Sequence, residues 1–281
     1  MSPKTPQSGE FASIKIIGSG LIGTSIGLAL ANKGVSVEMA DIDPKAAKLA
    51  NDLVACAAVA SPEIILYAGP SSGLKSCLES EFKMNKDLKF IDIGSVKTKS
   101  LLEVSQSSIP TERFLATHPM AGREVGGAQS ARADLFQSRN WIYMPAGLDG
   151  SPVDADLIAA GLWMIQALGA SPVSMTAENH DRAVALVSHL PQVSASLLAA
   201  QLRGADSKLL DLAGAGLRDT TRIAASSAAL WDEILSSNSS ELLPLLISLQ
   251  SDLTALIEAL KSNSSVFSFI EKGNQGRSLI P

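Results

Sequence analysis

The sequence predicts an α/β chain with a doubly wound sheet in its N-terminal half and an all-α part behind it. From Ser13 to Pro145, short apolar runs typical of buried strands alternate with helix-like stretches, which is the pattern of βαβ units. Beyond Pro145 these runs end and long amphipathic stretches follow one another. We therefore expect a disordered polar tail at 1–11, a sheet domain at 12–150 and a helical domain at 151–281.

Six runs predict the strands, because they are rich in β-branched and aromatic residues and are bounded by turn formers. They are SIKII, VSVEMA, IILYA, LKFIDIG, FLATH and WIYMP. The stretch DADLIAAGLWMIQALG repeats Leu157, Gly161, Met164 and Leu168 at helical spacing. We assign it to the helical domain.

Composition excludes several classes of function. Lys and Arg number 23 against 28 Asp and Glu, so the net charge of −5 gives no long-range attraction for nucleic acid or anionic lipid. The N-terminus lacks a signal-peptide pattern, and the apolar runs look too short to span a membrane, so we expect a cytoplasmic protein. Cys56 and Cys77 have neither disulfide nor metal-site spacing, so we expect two inert thiols and no metal.

The segment GSGLIG follows the first strand run and opens a helix. Gly18, Gly20 and Gly23 then suit a tight turn, a close approach to a pyrophosphate and close packing of helix on strand. Ser19, Leu21 and Ile22 complete the loop whose backbone amides would face the diphosphate. This predicts a Rossmann-type dinucleotide site. The alternatives are a structural turn without ligand, or the similar loop of a methyltransferase or flavoprotein.

The second strand run ends at Asp41, 23 residues after Gly18. A carboxylate there can accept hydrogen bonds from the adenosine ribose and would repel a 2′-phosphate, so NAD is favoured over NADP. Asp43, followed by Pro44, is better suited to cap the next helix.

Three histidines are present, and their settings differ. His118 ends a strand run and starts the turn HPMAGRE, so it should lie at the sheet edge where ligands bind; the alternative is an exposed loop histidine. His180 and His189 lie nine residues apart, on opposite faces of a regular helix, and form no metal pair. Pro191 should bend or end that helix near His189, which makes His189 the better candidate. His180 is expected to order the helix start beside Asp181.

Two further segments carry polar residues in informative places. DIGSVK puts Ser95 and Lys97 just after a strand, where the hydroxyl could hold a substrate or nicotinamide oxygen or simply cap a helix. GLRDTTRIAASSAALW sets arginines among small and apolar residues, where they seek a carboxylate partner. That partner is either a substrate or an internal aspartate. The candidates are Arg218, Asp219, Arg222 and Trp231, with Asp232 as a second internal partner.

Seven segments, in this order, resemble the prephenate/arogenate dehydrogenase family of tyrosine biosynthesis over nearly the whole chain. They are GSGLIGTSIGLAL, DIGSVK, HPMAGRE, LFQSRNWIYMP, ENHDRAVALVSHLPQ, GLRDTTRIA and GNQGR. The resemblance implies NAD(P)-dependent oxidative decarboxylation, in which hydride leaves C4 of a cyclohexadienol ring and the ring carboxylate departs as CO2. It also implies a homodimer joined through an all-α C-terminal dimerisation domain.

The resemblance also implies roles for single residues. His118 would hydrogen-bond the 4-hydroxyl and take its proton, with support from Ser95. His189 would lie at the substrate pocket and Arg222 would pair with a substrate carboxylate. Around them, Trp231, Glu124, Arg218 and Asp219 would border or gate the pocket.

The sequence also departs from the family pattern and is compatible with other functions. Gln192 stands where many relatives have a second histidine. The sequence does not choose between prephenate and arogenate. A β-hydroxyacid or imine dehydrogenase with the same N-terminal half, or a non-catalytic NAD-binding regulator, are the alternatives. The sequence shows neither a chorismate mutase segment in front nor a regulatory ACT domain behind, so any feedback control should act at the active site or the dimer interface.

Overall fold

The computed structural model describes residues 8–55, 59–122 and 125–280. Its core is a seven-stranded sheet with the order β2-β1-β3-β4-β5-β6-β7. The strands are β1 (Ser13–Ile17), β2 (Ser36–Ala40), β3 (Ile64–Tyr67), β4 (Lys89–Asp92), β5 (Phe114–Pro119), β6 (Asn140–Tyr143) and β7 (Ser171–Ser174). All six predicted strand runs form strands.

Helices cover both faces of the sheet, as a doubly wound fold requires. They are α1 (Leu21–Ala31), α2 (Pro44–Val54), α3 (Leu74–Met84), α4 (Lys97–Ser105) and α5 (Ala155–Ala167). Alternate residues of a strand serve opposite cores: Ile64 and Leu66 belong to the cluster that includes α1, α2 and α5, whereas Ile65 and Tyr67 belong to the cluster under α3 and α4.

Strand register brings the functional loops together. Ile17 pairs with both Ala40 and Tyr67, and Tyr67 pairs with Asp92, so the parallel strands end at one level. The residues that follow them therefore share the carboxyl edge. The chain turns to opposite sides of β1 when it forms β2 and β3, which makes this edge the switch point where ligands bind in such sheets.

The sheet is not wholly parallel. β6 runs antiparallel to β5, and β7 runs parallel to β6. The described part of the connection from β5 to β6 contains one short 3-10 turn, Ala128–Ser130, and no crossover helix, which is the kind of connection that leads to an antiparallel pair.

The predicted start of the helical domain near residue 150 is wrong. β7 extends the sheet to Ser174, and α5 packs on the sheet rather than on the helices behind it. A Cβ at Gly161 would lie 2.3 Å from Leu115 Cδ2, which shows how closely α5 approaches β5. β7 has the sequence SPVS and is an edge strand of four residues, with a proline and no fully buried position. Its sequence therefore gives little indication of a strand.

The predicted disordered tail at 1–11 is also wrong for its described part. Phe11 is buried and its ring lies 5.0 Å from that of Trp163 on α5. Gly9, with φ of +86°, lets the backbone pass against Ala159. Residues 8–11 therefore pack on the fold.

The C-terminal part is helical, as predicted. It comprises α6 (Ala177–Val184), a π-helical segment (Ala185–His189), α7 (Leu190–Ala200), α8 (Ser207–Leu210), α9 (Ala215–Thr221), a 3-10 turn (Arg222–Ala225), α10 (Ala228–Ser237), α11 (Ser239–Lys261) and α12 (Phe267–Arg277). The first three form one continuous helix, Ala177–Ala200. Two stretches, that helix and α11, have the length and hydropathy of a membrane span, so the expectation that no apolar stretch is long enough does not hold.

Candidate active site

A cleft of about 660 Å³ opens at the carboxyl edge of the sheet. The loops after β1, β3, β4 and β5 form one wall, and the π-helical segment, α7, the 3-10 turn and α10 form the other. The residues that line it include Gly20, Ser95, His189, Gln192, Arg222 and Trp231. The sheet and the helical part therefore share one cavity.

The glycine loop has the geometry of a dinucleotide cradle. Gly18 has φ of +117°, and a Cβ there would lie 2.5 Å from the carbonyl carbon of Ala68; a Cβ at Gly23 would lie 2.0 Å from the Gly18 oxygen. Both positions therefore need glycine for packing. Gly20 differs, because a Cβ there would meet nothing within 4 Å, and it begins α1 without a side-chain cap. The open side of the loop, at a helix N-terminus, fits a diphosphate.

Asp41 lies directly beside this loop. Its Oδ2 accepts from the Ser19 amide at 2.7 Å, and its Oδ1 accepts from the Asp43 amide at 2.9 Å. A carboxylate oxygen can accept a further hydrogen bond, so Asp41 can still receive ribose hydroxyls. Asp43 caps α2 by accepting from the Lys45 amide, as the sequence predicts.

His118 stands at the end of β5 and is joined to a second histidine. Its Nδ1 lies 2.8 Å from Nε2 of His180, whose Nδ1 lies 2.7 Å from Oδ1 of Asp181. His118 is partly exposed, whereas His180 and Asp181 are buried. His118 is not itself among the residues lining the cleft, although Ser95, after β4, and Ala121, after β5, are.

Burial is the largest influence on the ionisation of this cluster. It lowers the pKa of His118 well below the ordinary histidine value, and nearby His180, Lys97 and His189 lower it further. Burial also lowers the pKa of His180, against the opposing effect of Asp181. Both rings are therefore neutral at neutral pH, and His118 can act as a base.

Asp181 has a second role, since it caps a helix of the sheet domain. Its Oδ1 accepts from the Lys97 amide and its Oδ2 from the Thr98 amide, both at 2.9 Å, at the start of α4. Burial alone would raise the pKa of Asp181. The bonds from the two amides, from His180 and from the Thr98 side chain outweigh this effect and hold the pKa below its ordinary value. Ser95 therefore does not cap α4 and stays in the loop that lines the cleft.

A buried ion pair lies close to His118. Lys97 Nζ contacts Asp92 Oδ2 at 2.5 Å and donates to the Thr117 carbonyl at 2.7 Å. Lys97 is fully buried, and desolvation lowers its pKa against the attraction of Asp92. The pair fixes the end of β4 and the start of α4 beside β5.

His189 also points to this cluster, contrary to the expectation of opposite helix faces. The π-helical segment turns less per residue than an α-helix, so the nine-residue spacing no longer places the two histidines half a turn apart. The Nδ2 atom of Asn238 donates to the Asp181 carbonyl at 2.8 Å and lies 3.2 Å from His189 Nδ1. The segment ends at His189, close to Pro191, where the sequence predicts a break.

The bonding of Asn238 assigns the His189 tautomer. A backbone carbonyl can only accept, so the atom facing Asp181 is the amide nitrogen, and the same nitrogen donates to His189 Nδ1. Burial lowers the pKa of His189 to about 4, so the ring is neutral and carries its proton on Nε2. His189 lines the cleft and can donate this N–H to a ligand.

The arginine segment is divided by the structure. Arg222 and Trp231 line the cleft, and the Trp231 ring meets the His189 ring edge-on at 6.0 Å. Arg218 and Asp219 lie exposed on α9 and are not among the described residues that line the cleft. Glu124, the remaining candidate, lies outside the described residues.

Sequence reasoning missed several residues of the site. Asn238, Asp181 as a helix cap, and the His180 bond to His118 join residues far apart in the chain. Glu233 is another, since it lines the cleft and accepts from the Ser72 amide at 3.2 Å. Within the described ranges, no group of three or more His, Cys, Asp and Glu could hold a metal ion.

Comparisons with known proteins give consistent results. Two family models match: "Prephenate dehydrogenase, nucleotide-binding domain" at residues 26–157 and "Prephenate dehydrogenase, dimerization domain" at 176–271. The chain is 32% identical to "Probable prephenate dehydrogenase NovF" of Streptomyces niveus, over 95% of this chain and 76% of that protein. It is 34% identical to cyclohexadienyl dehydrogenase of Zymomonas mobilis, over 64% of this chain and 61% of that enzyme.

Among solved structures, prephenate dehydrogenase of Aquifex aeolicus in complex with hydroxyphenyl propionate and NAD+ has a similar fold. The TM-score is 0.83 at 22% identity, with 98% of this chain and 100% of the other covered. The gap between the two family matches, 158–175, contains most of α5 and all of β7.

Proposed function

The chain belongs to the prephenate dehydrogenase family, and we propose that it oxidatively decarboxylates prephenate, or its amino counterpart arogenate, with NAD in tyrosine biosynthesis. The observation that carries this proposal is a neutral histidine, His118, at the carboxyl edge of the sheet beside a cleft that the glycine loop and Arg222 both line. The cleft thus combines a base, a cation and a dinucleotide cradle.

Gly18, Ser19, Gly20, Leu21, Ile22 and Gly23 would hold the diphosphate, and Asp41 the adenosine ribose. The bound nicotinamide ring supplies the hydride acceptor. Ile42, next to Asp41, is fully exposed and carries no positive charge that would attract a 2′-phosphate. This supports NAD over NADP.

His118 takes the proton of the substrate hydroxyl. As the ring carbon is oxidised, this hydroxyl becomes strongly acidic, so a neutral imidazole stabilises the transition state more than the ground state. Ser95 lies in the cleft-lining loop at the same edge and supports the contact with the hydroxyl.

Arg222 and His189 hold the anionic groups of the substrate. Both line the cleft, one as a cation and the other as a neutral N–H donor. Trp231, edge-on to His189, adds an aromatic wall for a six-membered ring. Arg218 and Asp219 are not assigned a contact with substrate.

A second copy of the chain covers the exposed apolar side of the C-terminal helices. Leu243, Ile247, Leu253 and Ile257 are exposed on α11, whose only buried residue is Leu242. The helix Ala177–Ala200 contains the buried polar groups His180, Asp181 and His189, which does not suit a lipid environment. We therefore assign the apolar surface to a homodimer, and the enzyme to the cytoplasm.

The experiment is NADH formation with prephenate and with arogenate, each with NAD and with NADP, while released CO2 is measured. The proposal expects NADH and CO2 in equal amounts from at least one substrate with NAD. NADH without CO2 from a β-hydroxyacid or from an amine that is oxidised to an imine, and none from either cyclohexadienyl substrate, would replace it with the other dehydrogenase class. NAD binding without any turnover would indicate a regulator.

A further inference from the structure

A chain of hydrogen bonds leads from His118 into the interior and ends at the first turn of a helix. Its members are His118 on β5, His180 on α6 and Asp181, which caps α4. His180 is fully buried and Asp181 nearly so. The bonds cross from the sheet to the helical part, so packing of α6 on α4 determines where they point.

The donor and acceptor roles in this chain of hydrogen bonds follow from the carboxylate at its Asp181 end. The Asp181 carboxylate can only accept, so His180 Nδ1 carries a hydrogen. A neutral His180 then has an unprotonated Nε2, which accepts from His118 Nδ1. In a neutral His118 the proton is thus on Nδ1, and the lone pair is on Nε2.

We propose that His180 and Asp181 are positioning residues that hold His118 in the Nδ1–H tautomer and so present Nε2 to the substrate hydroxyl. This rests on the proposed function only for the identity of the hydroxyl. The opposite tautomer would leave Nδ1 as the basic atom, facing His180 and away from any ligand. Tautomer control by a buried carboxylate is effective in other enzymes that use a histidine base.

The same residues accommodate the transferred proton. The substrate O–H bond breaks and its proton moves to His118 Nε2, while the C4–H bond breaks and its hydride would pass to the nicotinamide acceptor. C4 thereby becomes a carbonyl carbon and the His118 ring becomes an imidazolium. Its positive charge is shared with His180 through the Nδ1–H bond and is balanced by the Asp181 carboxylate. After the carboxylate carbon leaves as CO2, the bonding pair enters the ring and the proton returns to the phenolate oxygen, so no net proton is gained.

Other charged groups around His118 do not replace this role. Lys97 is neutralised by Asp92 and donates to the Thr117 carbonyl rather than to a histidine. His189 is held by Asn238 in the opposite tautomer. Of the described carboxylates, Asp181 is the one whose hydrogen bonds lead to His118.

Two substitutions of His180 each remove one of its two hydrogen bonds and keep the other. His180→Gln keeps a hydrogen-bond acceptor near the Nε2 position, for His118 Nδ1–H, but loses the bond to Asp181. His180→Asn keeps a donor near the Nδ1 position, for Asp181, but loses the bond to His118. We expect kcat to fall by roughly tenfold or more in His180→Asn and by less in His180→Gln. KM for substrate and for NAD should stay within about twofold in both.

The tautomer itself is measured in the wild-type enzyme by long-range ¹H–¹⁵N spectra of the histidine rings. Three histidines make assignment by single substitutions practical. We expect His118 protonated on Nδ1 and His189 protonated on Nε2. A His118 ring protonated on Nε2 in the free enzyme overturns the proposal, as does an undiminished kcat in His180→Asn.

Failure of the proposed function gives a different result. An enzyme that turns over neither prephenate nor arogenate leaves the ring spectra unchanged, because they need no substrate. A purely structural role for His180 predicts that kcat falls in both variants in proportion to thermal stability, and that result also overturns the positioning role.

Discussion

The histidines that meet near the cleft offer different ring nitrogens to a ligand. His118 has its Nδ1 engaged by His180, so Nε2 remains as an acceptor. His189 has its Nδ1 engaged by Asn238, so Nε2–H remains as a donor. Two neutral imidazoles can therefore perform opposite tasks, one removing a proton and the other holding an anion. The residue hydrogen-bonded to Nδ1, His180 in one case and Asn238 in the other, determines which task each ring can perform.

His118→Asn should act mainly on kcat. Asn keeps a donor for His180 near the Nδ1 position but removes Nε2, so substrate binding is kept while the base is lost. Loss of a positioned general base typically costs about 10²- to 10⁴-fold. The measurement is steady-state kinetics with NAD saturating, and a near-normal kcat would refute the assignment. In wild type, activity should rise with pH only through an acidic range, because the pKa of His118 lies well below its ordinary value.

Arg222→Ala should raise KM for the substrate. The substrate carboxylate is charged before binding. Without Arg222 it loses its cationic partner, which raises the free energy of the bound ground state as well as that of the transition state. Arg222 is exposed at the cleft wall, so we expect the lower end of the usual range, about 2 kcal/mol in kcat/KM. Arg218→Ala is the matched control, since Arg218 is exposed outside the cleft and its loss should leave KM unchanged. Equal effects of the two substitutions would contradict the assignment.

Asp41→Ala should weaken NAD use and improve NADP use, because the carboxylate no longer repels a 2′-phosphate. The ratio of kcat/KM for the two cofactors is the quantity to measure. Asp43→Ala serves as control, because Asp43 caps α2 and should affect stability rather than cofactor choice. A wild-type enzyme that prefers NADP by about tenfold or more would show that Asp41 has another role.

Residues at the site were predictable where local sequence determined their place. Ser95 follows a strand and His118 lies at the end of one, and the carboxyl edge of such a sheet is where ligands bind. Asn238 was not predictable, because it lies in the polar stretch SSNSSE and its partner His189 is 49 residues away. The His118 bond to His180 spans 62 residues and depends on how α6 packs against β5. Neither contact leaves a periodic signal.

At the level of elements, the glycine loop separates packing from ligand binding. Gly23→Ala should lower the melting temperature markedly, because its Cβ would lie 2.0 Å from the Gly18 oxygen. Gly20→Ala should keep that temperature, because its φ of −78° suits alanine and its Cβ meets nothing within 4 Å. It should still weaken NAD binding, since the added methyl occupies the space for the diphosphate. Thermal unfolding and NAD titration test both, and a Gly20→Ala variant with normal NAD affinity would contradict the cradle.

The elements that escaped prediction have physical reasons. β7 is an edge strand of four residues with Pro172, so neither alternation nor a β-rich composition marks it. The π-helical segment depends on one extra residue in a turn, which helical periodicity does not reveal. The other six strands were predictable because their buried positions give apolar runs, as in β3, or apolar residues at alternate positions, as in β2.

For the whole molecule, the two-part organisation was predictable but its boundary was not. The spacing of apolar residues in α5 is the same whether it packs on a sheet or on helices, so periodicity could not assign it. Only the seventh strand, and the close approach of Gly161 to Leu115, place α5 with the sheet. The family models divide similarly, since the C-terminal match begins at residue 176, just after β7.

The surface of the C-terminal helices gives the last prediction. On α11 the exposed apolar residues Leu243, Ile247, Leu249, Leu253, Ile257 and Leu260 fall within an arc of about 160° at 100° per residue. Single exposed apolar side chains are common, but a continuous stripe of this kind marks an interface. Ile247→Glu combined with Ile257→Glu should dissociate the dimer, because each carboxylate would have to be buried without a partner.

Sedimentation should give twice the mass of one chain for wild type at micromolar concentration and the mass of one chain for the double variant. Met84→Glu is the control, since Met84 is an exposed apolar residue on α3, away from the C-terminal helices, and should leave the dimer intact. A wild-type monomer would refute the interface. Because His180, Asp181 and His189 lie on the helix Ala177–Ala200 and Asn238 immediately precedes α11, we expect the dissociated variant to lose kcat as well as the dimer.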